Sequence, residues 1–150
     1  MLAMIAVGLW AAQLGGRALW LVPGTFVAVM ALGGVVGMAQ IPLPHVEVGI
    51  GISLLVVGVL VAAAVHGPTL VCALVVGVFA LFHGHAHGTE LPQAASAAGY
   101  ALGFMAATVS LHAGGVGLGV LLREGRGQWL LRLGGAAVAA MGIVLVLGGR

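Results

Sequence analysis

Nine consecutive residues, Phe82-His83-Gly84-His85-Ala86-His87-Gly88-Thr89-Glu90, hold three of the chain's six histidines and one of its three acids. On a helix turning about 100° per residue, His87 lies about 40° from His83, and Glu90 returns to within about 20° of it. The three side chains therefore project from one stripe over about 10 Å. Two imidazoles and a carboxylate are ligands suited to Ni²⁺, Co²⁺, Zn²⁺ or Fe²⁺ rather than Cu(I). His85 points to the opposite side and cannot join the stripe without unwinding. One helix supplies at most three ligands, so partners must come from elsewhere. Glu47, in the first turn of another expected helix, is the acid best placed to approach; it also suits a positive helix N-terminus on its own. His112 is the sole ionisable group deep in a third apolar segment. It reads equally well as a residue on an ion path, as support for a ligand, or as a satisfied core histidine. His45 reads as interfacial and His66 as loop.

The elements that must position these groups are apolar almost throughout. Hydrophobic residues make up 62% of 150, only 5 Arg and 3 Glu carry permanent charge, and Lys, Asp and Asn are absent. Mean hydropathy is +1.25. Eight charges cannot coat a soluble fold, and disordered chains are rich in charge and poor in Leu, Val and Ile. The composition is that of an integral membrane protein. Five scattered Arg make no nucleic-acid patch. Cys72, the lone cysteine, reads as a small core residue.

Crossing about 30 Å of hydrocarbon takes about 20 apolar residues. Segments 18–39, 45–65, 69–90, 94–122 and 128–147 meet that length. Pro42, Pro44, Gly67-Pro68 and Pro92 punctuate them. Segment 1–14 spans only about 21 Å and lacks the marks of a signal peptide. It reads as the C-terminal two-thirds of a longer helix. The expected fold is an all-α bundle of six transmembrane helices, the first truncated, forming a single domain over 1–150. Arg17 lies in the first connection and Arg123, Arg126 and Arg132 in or beside the fifth. The positive-inside rule places the first, third and fifth connections in the cytoplasm, with Arg150 alone on the other side. Glycine, 27 of 150, recurs in small-xxx-small pairs: Gly33/Gly37, Gly84/Gly88, Gly99/Gly103 and Gly115/Gly119. Such faces let helices approach closely in lipid, within one chain or in a homo-oligomer.

At Phe82–Glu90 the sequence resembles the HupE/UreJ family of membrane nickel and cobalt permeases. That family carries an F-H-G-x-A-H-G-x-E signature, matched here without exception. Leu2-Ala3-Met4, Gly8-Leu9-Trp10-Ala11, Pro42-Leu43-Pro44 and Tyr100-Ala101-Leu102-Gly103-Phe104 look similar to the family's flanking text. The resemblance implies metal-binding or transport roles for His83, His87 and Glu90, with Glu47 and Phe26 in support. Phe26 by itself would read as core. The family's second motif, H-P-x-x-G-x-D-H in its first helix, has no counterpart, since the chain contains no Asp.

The resemblance further implies a secondary transporter of Ni²⁺ or Co²⁺ in a bacterial inner membrane, supplying metalloenzymes such as hydrogenase or urease. Its partners would be the bilayer and a divalent ion, with no permanently bound cofactor and no nucleic acid. It would not be an enzyme: the chain has no G-x-x-x-x-G-K-[ST], no G-x-S-x-G and no H-E-x-x-H. Two other classes fit the composition. A membrane redox protein would use the histidines for haem, iron or zinc; an assembly subunit would use the small-residue faces and leave the histidines interfacial.

Overall fold

The computed structural model describes residues 1–92 and 96–148. Six helices follow in order: α1 (Leu2–Leu14), α2 (Ala18–Met38), α3 (Val46–Ala62), α4 (Thr69–Thr89), α5 (Ala97–Leu122) and α6 (Gly127–Gly148). Four of them, α2, α4, α5 and α6, are long and apolar enough to cross a membrane. At 13 and 17 residues, α1 and α3 are shorter, so length alone supports four crossings rather than the six expected. Residue 94, where the fifth span was expected to begin, and Arg150 lie outside the described residues.

The bundle is built from three tightly crossed pairs, α2 with α4, α3 with α6 and α1 with α5. Glycine sets each crossing. A Cβ at Gly84 would meet the Met30 carbonyl oxygen, and one at Gly88 would lie 2.8 Å from the Met38 nitrogen. Between α3 and α6, a Cβ at Gly58 would sit 2.7 Å from the Gly135 oxygen, and one at Gly142 2.8 Å from the Gly51 oxygen. Between α1 and α5, a Cβ at Gly8 would sit 2.9 Å from the Gly115 Cα. Helices in lipid gain nothing hydrophobic by meeting, so dispersion across such close backbones is what holds them together. Gly99/Gly103 departs from the sequence expectation. A Cβ at Gly103 would meet nothing within 4 Å, and one at Gly99 only its own Ser96.

The short α1 lies at the centre, with nine of its 13 residues buried. Up to Gln13 it is apolar on every side, which is the pattern of a helix enclosed by others. Around it the outward surface carries Trp20, Leu32, Leu70, Leu102, Leu121 and Leu133, all exposed. A soluble protein rarely exposes so much apolar surface, whereas lipid is the natural solvent for it.

Two sets of contacts define the ends of the bundle. At one, the Trp10 indole N–H donates to the Val65 carbonyl (2.9 Å), and Gln13, His66, Arg123, Gln128 and Arg132 line one cavity of about 290 Å³. The first, third and fifth connections thus share an end, and that end carries Arg17, Arg123, Arg126 and Arg132. At the other end, the His85 ring reaches the Ile41 carbonyl (2.8 Å), tying the close of α4 to the α2–α3 connection.

Both α2 and α3 end in a left-handed residue that is not glycine. Gln40 has φ 55° and Ala64 φ 50°. At α3, the Val65 N–H donates to the Leu60 oxygen (2.9 Å) and the Ala64 N–H to the Val61 oxygen (3.1 Å). This double-bonded helix end normally takes Gly at the left-handed position. Ala64→Gly is therefore expected to stabilise the fold by about 1 kcal/mol, seen as an unfolding midpoint about 2–4 °C higher in detergent.

Candidate functional site

The site is built where α4 runs out toward the Ile41 end. Phe82 seats its ring against Gly49 of α3, where a Cβ would sit 2.7 Å from the ring. That contact holds the start of α3, and with it Glu47, beside the signature on α4. Four residues further along α3, Ser53 meets His83.

His83 is buried, and its Nε2 lies 2.9 Å from Ser53 Oγ. Ser53 Oγ also lies 2.6 Å from the Ile50 carbonyl oxygen. A carbonyl can only accept, so the single hydroxyl proton is spent on Ile50. Ser53 must then accept from His83, which fixes the imidazole as the Nε2–H tautomer and leaves the lone pair on Nδ1. A metal-binding histidine is commonly oriented in this way, by a partner at its other nitrogen.

His87, half-buried, lies flat against Phe104 of α5, with centroids 5.1 Å apart and planes 8° apart. Tyr100 meets the same Phe104 edge-on at 5.7 Å. Glu90 closes α4 as its C-terminal cap and is exposed, as is Glu47 in the first turn of α3. His85 is buried on the opposite side, against α2. The stripe of His83, His87 and Glu90 thus exists on the helix, but its members face different neighbours. Among the described residues, no three His, Cys, Asp or Glu side chains converge closely enough to hold a metal ion.

Below the stripe the structure brings together three rings. Phe26 of α2, 1% exposed, lies 5.6 Å from the His83 ring and 5.0 Å from the His112 ring. Phe26 is core by burial, and it also touches both the His83 and the His112 imidazoles. Ser53 carried no signal in the sequence. It stands 30 residues from His83 on another helix, and only the packing of α3 on α4 joins them.

The comparisons with known proteins bear on the same residues. Residues 1–145 match the family described as HupE / UreJ protein. The chain belongs to the HupE/UreJ family. Over 147 residues it is 53% identical to Protein HupE of Rhizobium leguminosarum bv. viciae, covering 98% of this chain and 77% of that relative. No solved structure matches. Family membership and four helices long and apolar enough to span make this HupE/UreJ chain a multi-pass membrane protein.

Proposed function

We propose that this HupE/UreJ chain is a secondary transporter that takes up Ni²⁺, or Co²⁺, across a bacterial inner membrane for maturing metalloenzymes such as hydrogenase or urease. The observation that carries the reading is the intact F-H-G-x-A-H-G-x-E signature, whose first imidazole is oriented by Ser53 with Nδ1 left open. All six helices span in this reading, and the arginine-bearing end faces the cytoplasm by the positive-inside rule.

A hydrated ion would arrive at the outer end, where Glu47 and Glu90 are exposed and lower the electrostatic cost of capture. It would exchange waters for Glu90, His87 and His83. His87 would turn off Phe104 to do so, a rotation that forfeits only a stacking contact of about 0.5–1.5 kcal/mol. The ion would then pass Phe26 toward the cytoplasm. A dication moving down an inside-negative potential gains about 4.6 kcal/mol per 100 mV, so no nucleotide is needed.

Imidazole ligands must be neutral, so protons compete with the metal for the same nitrogens and capture weakens as pH falls.

Ser53→Ala removes the acceptor that holds the His83 tautomer while leaving the ligand in place. It is expected to weaken nickel affinity by about 10-fold, within the range for partners that orient a ligand. Isothermal titration of the purified protein checks this, and an unchanged dissociation constant would remove Ser53 from the site.

A further inference from the structure

Among the described residues two buried ring nitrogens have no hydrogen-bond partner, His85 Nδ1 and His112 Nε2, and His112 is the one whose ring meets Phe26, which also meets His83. His112 is 3% exposed, and its Nδ1 lies 2.8 Å from the Thr108 carbonyl oxygen. The carbonyl can only accept, so Nδ1 carries the ring proton and Nε2 holds the lone pair. That Nε2 is buried and makes no hydrogen bond among the described residues. A histidine kept merely for its bond to Thr108 would gain nothing by burying a bare acceptor, because an unpaired buried acceptor is costly. The nearby Thr108 hydroxyl does not relieve it, being aimed at the Met30 sulfur at 3.6 Å.

Depth along the helices adds direction. His83 stands six residues before the outer end of α4 at Thr89, about 9 Å of helix. His112 stands ten residues before the inner end of α5 at Leu122, about 15 Å. By the same measure His83 stands 14 residues from the inner end of α4 at Thr69, about 21 Å, so His112 lies deeper, and the order read inward is Glu90, His87, His83, His112. Phe26 touches both rings, with centroids 5.6 Å from His83 and 5.0 Å from His112. A cavity of about 560 Å³ between α2 and α5 has His112 in its wall, and every other residue lining it, Trp20, Pro23 and Val27 among them, is apolar. It opens no route for a hydrated ion, and Nε2 is shut off from it.

We propose that His112 Nε2 is a further metal ligand, deeper toward the cytoplasm than His83 and in contact with the same Phe26 ring, which receives the divalent ion from His83. The proposal rests on the transport reading and adds to it an inner station distinct from the outer capture residues. Coordination there would supply the bare nitrogen with the cation it lacks.

The test uses the full chain in liposomes and separates capture from movement. Asn at position 112 can still donate an amide N–H toward the Thr108 carbonyl but has no atom where Nε2 stands. His112→Asn should hold ⁶³Ni²⁺ at equilibrium within about twofold of the parent protein, while initial uptake falls by about tenfold or more. His112→Cys replaces imidazole with a softer ligand, so the ratio of Cd²⁺ to Ni²⁺ uptake should rise by about tenfold or more. A residue that only packs would lower both metals equally. Uptake by His112→Asn within twofold of the parent overturns the proposal. Joint loss of capture and uptake in His112→Asn, or an unchanged metal ratio in His112→Cys, overturns it as well. A parent protein that neither captures nor moves nickel defeats the transport reading and this proposal with it, whereas failures confined to the variants defeat the proposal alone.

Discussion

His83→Gln is expected to lower nickel uptake by about 100-fold or more while leaving the protein folded. The substitution is chosen for its geometry. A Gln amide N–H stands close to where the Nε2–H of His83 stands, so the bond to Ser53 (2.9 Å) can be kept. The nitrogen lost is Nδ1, which the Ser53–Ile50 hydrogen bond leaves as the lone-pair atom. Losing the partner that orients a ligand costs about 10–100-fold, and losing the ligand itself should cost at least the upper end of that range. Uptake of ⁶³Ni²⁺ by cells expressing the variant, normalised to protein in the membrane, checks the prediction. The volume change is small and the hydrogen bond persists, so a large loss of uptake with normal expression would be chemical and not structural.

Gly84→Val is expected to prevent the folded protein from accumulating. Gly84 lies between His83 and His85, where α4 presses on α2, and any Cβ there would meet the Met30 carbonyl oxygen and approach the Gly34 nitrogen at 2.8 Å. Both neighbours are backbone in the middle of a helix, so neither can turn aside as a side chain would. Overpacking of a core ordinarily costs about 1–3 kcal/mol. A branched side chain against two fixed backbones should exceed that, a large part of the usual 5–15 kcal/mol of total stability. The contrast is Gly103→Ala. Nothing lies within 4 Å of a Cβ there, so the variant should be about 0.5–1 kcal/mol more stable through lost backbone entropy in the unfolded chain. Size-exclusion profiles in detergent separate the two: Gly84→Val aggregates or is absent, and Gly103→Ala runs as the parent does.

Both predictions turn on what spacing can and cannot convey. The helices were legible because their signals are local: apolar runs of set length, ended by Pro42, Pro44, Pro68 and Pro92. The stripe on α4 was legible for the same reason, since the period of one helix fixes which side chains share a face. What that face meets is set by other helices, and no local signal carries it. Ser53 acts on His83 from α3, and Ile41 receives His85 from a connection. His87 turns from the stripe to Phe104 on α5. Gly33/Gly37 and Gly84/Gly88 do face each other, and Gly115/Gly119 faces α1, yet Gly99/Gly103 has the same spacing and faces nothing. The α3–α6 crossing rests instead on Gly51/Gly58 and Gly135/Gly142, seven residues apart, a period that also returns small residues to one helix face. The shortness of α1 was visible in the sequence; its central place, enclosed by the other helices, was not.

The proposed function requires that this chain by itself carry nickel inward. The most direct measurement is initial ⁶³Ni²⁺ uptake into liposomes containing the purified protein alone, with an inside-negative potential imposed by potassium and valinomycin. Uptake is expected to need no nucleotide, to rise with the imposed potential, and to be lost in His83→Gln and Glu90→Gln. Uptake no greater than that of protein-free liposomes, at any potential, would contradict the proposed function.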